Sequence, residues 1–197
     1  MQLVEAFLQE IDQRWPRNGE SKVRLHIIGC GALMLQASYE RGTKDSDVFE
    51  TTDLSDETKQ HLLRLAGPGT DLHRRRSMYI DIVANGLPFL PHGPLWHPVS
   101  DLNVRLLSLE LVALDVVDVV VSKLKRLNAN DRADIDAMVD RGLVPHPRLL
   151  ERFRAAVDEF SGDARASDLP KYVANLHVVE RDMLGVEETE IELPPWV

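Results

Sequence analysis

The sequence predicts an α+β fold, in which a mixed β-sheet flanked by helices is followed by a C-terminal helical part. Two observations support this prediction. Strand-like runs such as "KVRLHIIG" and "SMYIDIVA" alternate with helix-like segments up to about residue 114, and helical patterns dominate afterwards. We therefore expect an α/β core over 1–114 and a helical region over 115–197, packed together as one unit. An apolar fraction of 44% is sufficient for such a core.

The chain begins with a predicted amphipathic helix over 2–15, because four apolar residues recur there at every fourth position. These residues are Leu3, Phe7, Ile11 and Trp15. A strand is then predicted over 23–29. It leads into a glycine turn at 29–31 and a helix over "CGALMLQASYE", which contains no proline.

The next predicted strand, "SDVFE", follows a polar stretch and has Asp45 and Asp47 at its start. After this strand, Ser55 is suited to cap a helix over "DETKQHLLRLA", whose first turn carries two favourable acidic residues. The "GPG" sequence at 67–69 ends that helix.

A third strand is predicted at 77–84, where "SMYIDIVA" is strongly apolar apart from Asp81. A carboxylate inside an apolar strand is costly unless it has a partner. Residues 85–98 are rich in Pro and Gly and predict a loop, and residues 103–114 predict one or two further short strands.

The C-terminal part begins with Asp115, which is placed to cap a helix over "VVDVVVSKLKRLN". Further helices are predicted over "DRADIDAMVDRG", over 146–161 and over 167–184. The stretch 116–124 is so apolar that its helix is expected to be buried nearly all round. Lys123 within it then needs a partner.

Charge and cysteine content narrow the class of protein. A formal net charge of -9 argues against a broad nucleic-acid-binding face. The local exception is "HRRR" at 73–76, which is either a patch for a triphosphate or an RNA end, or an ordinary solvated loop. The single cysteine, Cys30, fits a reducing compartment, and no signal peptide or membrane span is apparent. We expect a cytoplasmic protein that does not enter the membrane.

Three aspartates are candidates for a metal site. Residues i and i+2 of a strand point to one face, so Asp45 and Asp47 project together. If the strand of Asp81 is a neighbour, the three carboxylates converge and repel each other unless cations neutralise them. All-oxygen ligand sets suit Mg²⁺ or Mn²⁺. The alternative is an ordinary polar turn before a strand, with Asp81 in a salt bridge.

The glycine turn "IIGCGALM" has two interpretations. It begins like a dinucleotide-binding fingerprint, but Met34 stands where that fingerprint has Gly or Ala, and no clear parallel second strand follows before Asp45. The other interpretation is that backbone N–H groups at the N-terminus of the helix bind a triphosphate.

The segment "IIGCGALMLQASYERGTKDSDVFE" resembles the opening motif of the DNA polymerase β-like nucleotidyltransferases, where a Gly-Gly or Gly-Ser turn precedes a D-x-D strand. Its R-x-T-K-D-x-D form is most similar to the minimal nucleotidyltransferases grouped with AbiEii-type toxins and to the related DUF6036 family. Asp81 in "YIDIV" matches the third carboxylate, and "LDVVDVVVSKLKRLNANDRADIDAMV" is similar to a later block. The resemblance covers roughly residues 23–141.

The resemblance implies a nucleotidyltransferase-like sheet and a set of site residues. Those implied to be catalytic are Asp45, Asp47, Asp81, Lys123 and Asp134. Those implied to bind the nucleotide are Gly29, Cys30, Arg41, Thr43, Ser122 and Arg132. The metal ligands would be Asp45, Asp47 and Asp81, with Asp81 acting as third ligand or as the base for an acceptor hydroxyl. Lys123 would contact the triphosphate.

Some of these residues have ordinary alternatives. Cys30 stands where the motif has Gly or Ser, and a buried inert thiol is one reading of it. Lys123 could be a surface lysine. Arg132, Asp134 and Asp136 could form a solvated helix face with local ion pairs.

The combined prediction is a metal-dependent nucleotidyltransferase that transfers a nucleoside monophosphate from a nucleoside triphosphate to an acceptor hydroxyl. The resemblance implies a tRNA or other RNA end, or a protein side chain, as acceptor, and a toxin–antitoxin pair with a cognate antitoxin as one setting. Two alternatives stay open. One is a non-catalytic binding or antitoxin-like protein, and the other is a D-x-D glycosyltransferase that uses Mn²⁺ and a nucleotide sugar.

Overall fold

A computed structural model describes residues 3–16, 21–37, 39–40, 42, 45–162 and 164–196, apart from the side chain of Asp45. The chain forms two compact units. The first unit comprises residues 1–87 and 96–114, and the second comprises residues 88–95 and 115–197. The short segment 88–95 therefore leaves the first unit and contributes to the second.

The described residues of the first unit form a five-stranded mixed sheet. Its strands are Val23–Ile27 (β1), Asp45–Phe49 (β2), Tyr79–Val83 (β3), Trp96–Pro98 (β4) and Leu109–Leu114 (β5). They lie in the order β3-β2-β1-β5-β4. The pairs β1–β5 and β2–β3 are parallel, whereas β1–β2 and β4–β5 are antiparallel. The predicted mixed sheet is confirmed.

Helices of the first unit connect these strands. They are Leu3–Arg14 (α1), Gly29–Ala37 (α2), Asp56–Ala66 (α3), Asp71–Arg76 (α4) and Ser100–Asn103 (α5). The helix α2 contacts β2 and β5, and α3 contacts β3. Leu25 and Ile27 of β1 are fully buried whereas Arg24 is exposed, as expected for a sheet with one face in the core. The predicted cap is also confirmed, since Ser55 accepts a hydrogen bond from the Thr58 N–H.

Two elements of the first unit differ from the prediction. Trp96–Pro98 is a strand within a region predicted to be a loop, because antiparallel pairing with β5 satisfies its backbone. The "HRRR" sequence at 73–76 is helical and not a loop, since it completes α4, which Thr70 caps. Arg75 and Arg76 of this helix bind Glu10, at 2.6 and 2.7 Å.

The second unit is helical, as predicted. Its main helices are Val116–Lys123 (α6), Ala129–Asp140 (α7), His146–Phe160 (α8) and Leu169–Val179 (α9). A short 3₁₀ turn precedes α9, and a π-helical turn, Glu180–Leu184, continues it. Asp115 caps α6 by accepting from the Val117 N–H at 2.9 Å, which confirms the predicted cap.

An aromatic cluster and an ion pair attach residues 88–95 to the second unit. The Phe89 ring packs against those of Phe153, Phe160 and Tyr172, with centroids 4.9–5.5 Å apart. Arg152 binds the fully buried Asp118, whose carboxylate also accepts from the Leu95 N–H. Among the described residues, no helix has the length and apolarity that crossing a membrane requires.

Candidate functional site

The glycine turn and the D-x-D strand are in close contact. Gly29 begins α2 with a φ of +62°, a left-handed conformation that glycine adopts without strain. A β-carbon added to Gly29 would lie 2.7 Å from Oδ2 of Asp47. The Ile28 N–H also donates a 2.9 Å hydrogen bond to the Asp47 carbonyl. The backbone conformation therefore favours glycine at position 29, and a β-carbon there would displace the carboxylate of Asp47.

Asp47 and Asp81 are paired across two parallel strands. The register of β2 and β3 sets Asp47 opposite Asp81, and residues paired in this way point to the same face of a sheet. Asp47 is partly buried, whereas Asp81 is exposed and accepts a 2.9 Å hydrogen bond from the Ile82 N–H. The strand of Asp81 is thus the neighbour of the D-x-D strand, as the carboxylate hypothesis requires.

The environment of Asp81 differs from the one expected from its apolar strand. We expected a carboxylate with a high cost of burial, and this expectation is wrong. The strand β3 is at the end of the strand order, and Asp81 faces away from the core while its neighbour Ile80 is fully buried. An exposed carboxylate retains its hydration and needs no internal partner.

Three further residues of the predicted metal and phosphate site, Arg41, Thr43 and Asp45, lie wholly or partly outside the described part of the chain. Asp45 is the first residue of β2 and is in register with Tyr79, but its side chain lies outside the described part. Arg41 and Thr43 also lie outside the described residues. Among the side chains that are described, no three or more His, Cys, Asp or Glu residues are grouped so as to hold a metal ion. The three-carboxylate site stays a prediction.

Cys30 and Gly31 form the first turn of α2, next to Gly29. The Cys30 thiol is buried and forms no disulfide, in agreement with the interpretation of a buried thiol. A β-carbon on Gly31 would lie 3.2 Å from Cγ2 of Ile27 and 3.3 Å from Oγ of Ser46. Small residues in this turn therefore allow α2 to lie close to β1 and β2.

Lys123 belongs to the second unit and is part of a buried ionic cluster. Its Nζ lies 3.0 Å from Oδ1 of Asp131 and 2.8 Å from Oδ2 of Asp134. The contact with Asp134 is a charge contact without the angle of a hydrogen bond. Burial alone would raise the pKa of Asp131, but the nearby charges and hydrogen bonds of Lys123 and Arg126 outweigh it and lower the pKa. The expectation that Lys123 has a partner is confirmed.

Other predicted residues of the second unit have local contacts. Asp134 is fully buried, so the hypothesis of a solvated helix face is wrong for this residue. Ser122 donates a 2.7 Å hydrogen bond to the Val119 carbonyl, and exposed Arg132 pairs with Asp182 at 3.3 Å. Asp131 was not among the predicted site residues, although the Asn128-x-x-Asp131 spacing of a capping box, which the structure contains, was a sequence signal for it.

A comparison with family models identifies the chain. Residues 3–175 match the model of a family described as "Nucleotidyltransferase of unknown function" (DUF6036). The chain belongs to this family. The DUF6036 match includes the glycine turn, the D-x-D strand, Asp81 and the ionic cluster around Lys123. Comparisons with curated proteins and with solved structures gave no match.

Proposed function

We propose that this DUF6036 protein is a metal-dependent nucleotidyltransferase that transfers a nucleoside monophosphate from a nucleoside triphosphate to an acceptor hydroxyl. The observation that carries the proposal is the arrangement around Asp47. Its carboxylate lies beside the glycine at the start of α2 and is in register with Asp81 on the neighbouring strand. A phosphate-binding helix N-terminus and two carboxylates therefore adjoin on one side of the sheet.

The described residues fit a divalent cation with oxygen ligands. The side chains of Asp47 and Asp81 share a face, and the register places no residue between them. Carboxylate oxygens are the ligands that Mg²⁺ and Mn²⁺ prefer, and we propose that Asp45, Asp47 and Asp81 would hold them. A bound ion would neutralise charge on the phosphates and on the attacking oxygen.

The N-terminus of α2 and the carboxylate of Asp81 each have a role in the proposed reaction. The N-terminus of α2 at Gly29 and Cys30 would bind phosphate oxygens, because the positive end of the helix dipole favours anions there. The acceptor oxygen forms a bond to the α-phosphorus, the α–β anhydride bond breaks, and pyrophosphate leaves with the bonding electrons. The proton of the acceptor hydroxyl passes to the exposed carboxylate of Asp81.

The acceptor class is part of the proposal. An RNA end, such as that of a tRNA, or the hydroxyl of a protein side chain fits the reaction, and a toxin role with a cognate antitoxin fits either acceptor. For an RNA, the arginines of α4 would be the approach, because the chain as a whole carries a charge of -9. Arg74 and Arg75 are exposed on that helix, and their ion pairs with Asp71 and Glu10 would open when they contact phosphate.

Incubation of the protein with each labelled nucleoside triphosphate and Mg²⁺ tests the proposal, with total RNA and a protein extract as acceptors. The variants are Asp47→Asn and, as a matched control, Asp101→Asn, which changes an exposed aspartate of α5 in the same unit. Transfer by the wild type and by Asp101→Asn, with loss in Asp47→Asn, is the expected result. Absence of both transfer and Mg²⁺-dependent nucleotide binding would refute it and favour a non-catalytic binding or antitoxin-like protein.

A further inference from the structure

A group of ring-bearing side chains lies on the sheet face that carries Asp47 and Asp81. His26 of β1 is in register with Phe49 of β2, two residues beyond Asp47 on the same strand. The His26 imidazole and the Trp96 indole are in edge contact, with centroids 4.7 Å apart, and the Phe49 ring lies 5.8 Å from the indole. We call His26, Phe49 and Trp96 the aromatic group.

The alternation of side chains along the strands places the aromatic group on the sheet face opposite Leu25 and Ile27. Leu25 and Ile27 of β1 are fully buried on the opposite face, so His26 between them points the other way. Strand alternation likewise puts Phe49 on the face of Asp47. Two residues along a strand span about 7 Å, so the aromatic group adjoins the carboxylates directly.

The charge changes along this face. The carboxylates of Asp47 and Asp81 lie at one end. At the other end, the Arg24 guanidinium binds Glu110 through two hydrogen bonds of 3.1 Å, so the pair has no net charge. Between them, burial, followed by the charge of Arg24, holds the pKa of His26 below its usual range, which favours the neutral imidazole. The face thus combines an anionic end with a neutral aromatic part.

His26 also has an unsatisfied polar atom. Its Nδ1 is buried and has no hydrogen-bond partner among the described residues. Buried polar atoms of this kind are uncommon in folded proteins and usually have a functional or structural reason. A polar edge that entered between the rings would satisfy this nitrogen after a small shift of the Trp96 indole, which is only partly buried.

We infer that the aromatic group binds the nucleobase of the nucleoside triphosphate. The base stacks on the Trp96 indole and turns its polar edge toward Nδ1 of His26, whose ring is nearly perpendicular to the indole, while the phosphates lie at Gly29 and the carboxylates. The inference rests on the proposed function. It gives a binding site to the nucleobase, for which the proposed reaction names no contact. A nucleotide has an anionic phosphate end and a neutral planar base. On this sheet face the carboxylates, with a divalent cation bound, would meet the phosphates, and the neutral aromatic part would meet the base. Base stacking on aromatic side chains is a common mode of nucleotide binding.

Calorimetric titration tests the inference without any acceptor. The probes are the four ribonucleoside triphosphates and inorganic tripolyphosphate, each with Mg²⁺. Trp96→Leu should weaken the affinity for the nucleoside triphosphates about tenfold, because one stacking contact is lost, and should leave tripolyphosphate binding unchanged. Trp196→Leu is the matched control, since this tryptophan is 73% exposed and belongs to the second unit. It should bind every probe as the wild type does.

Conservative variants separate binding from folding. Trp96→Phe keeps an aromatic ring and should retain most of the affinity that Trp96→Leu loses. His26→Leu should reduce the preference among the four nucleotides, and His26→Asn, which keeps a polar group near the position of Nδ1, should restore part of it. Thermal unfolding midpoints of all variants identify any that fail to fold.

Three results would overturn the inference. Unchanged nucleotide affinity in Trp96→Leu, with transfer activity present in the wild type, would reject the base site and leave the proposed function intact. Equal weakening for nucleotides and tripolyphosphate would reject it as well, because the effect would lie at the phosphates. A wild type that neither binds nor transfers any nucleotide would remove the proposed function and this inference together.

Discussion

The carboxylate of Asp47 occupies the space beside Gly29 that the β-carbon of any other residue would need. Oδ2 lies 2.7 Å from that position, and the Gly29 backbone is also in the left-handed region. These two constraints are independent, because one comes from a neighbouring strand and the other from the residue's own backbone. Glycine therefore lets the start of α2 approach the D-x-D strand.

Gly29→Ala is expected to destabilise the protein more than alanine at another left-handed glycine. Gly142 has a φ of +68° and open space around an added β-carbon, so Gly142→Ala should cost only backbone strain, about 1–2 kcal/mol of the free energy of unfolding. Gly29→Ala adds the cost of moving the Asp47 carboxylate away from the new β-carbon. Chemical denaturation of both variants measures the difference, and equal losses would contradict the close approach.

The exposed position of Asp81 predicts a loss of activity without a loss of stability. Asp81→Asn should change the free energy of unfolding by less than about 0.5 kcal/mol, as exposed substitutions generally do. The transfer rate should fall about a hundredfold or more, the usual effect of removing a catalytic proton acceptor. Rate measurements beside Asp101→Asn, which changes another exposed aspartate of the first unit, provide the control. Full activity of Asp81→Asn would exclude this residue from the proposed site.

The buried cluster around Lys123 predicts a large loss of stability when Lys123 is replaced. Lys123→Met leaves the carboxylates of Asp131 and Asp134 buried without their shared cation, and it should cost about 3–5 kcal/mol of unfolding free energy. Arg132→Gln removes only an exposed pair with Asp182 and should cost less than about 1 kcal/mol. Urea denaturation compares them. If Lys123→Met were as stable as the wild type but did not bind tripolyphosphate, Lys123 would be a phosphate ligand.

Glu180 predicts a stability that depends on pH. Burial alone would raise the pKa of this carboxyl, but hydrogen bonds from His146 and the Thr189 N–H outweigh burial and hold the pKa below 4.5. A carboxyl whose pKa falls on folding stabilises the protein above its unfolded value, and this contribution is lost as the pH falls through the folded value.

Wild type and Glu180→Gln should therefore differ most in unfolding free energy above pH 4.5, and the difference should shrink as the pH falls further. Urea denaturation at a series of pH values between about 6 and 3 measures this difference. A difference that stays constant over the whole range would contradict an ionised Glu180 in the folded protein.

Local patterns predicted most elements of the fold. The caps at Ser55 and Asp115 and the turn at Gly29 each depend on neighbours within a few residues, which the sequence displays directly. Strand periodicity likewise identified β1, β2 and β3, because alternation and apolar runs are properties of a single segment. The adjacency of Asp47 and Asp81 followed only conditionally, since periodicity does not say which strands pair.

Contacts between distant segments were not predictable in this way. Trp96 lies in a Pro- and Gly-rich stretch, and only its pairing with β5 makes it part of a strand. Asp81 was expected to be buried because its strand is apolar, yet its exposure depends on the position of β3 in the sheet. The contact of His26 with Trp96 joins residues 70 positions apart and left no signal in the sequence.

The membership of residues 88–95 in the second unit has a consequence for synthesis on the ribosome. Phe89 is made before the rings that cover it, since Phe153 follows it by 64 residues and Tyr172 by 83. At about 5–20 residues per second, its side chain stays uncovered for roughly 3 to 17 seconds. Throughout that interval the nascent chain displays an aromatic residue of the kind that chaperones bind. This residue lies between two segments of the sheet, and the second of them, with β4 and β5, is made only after Phe89.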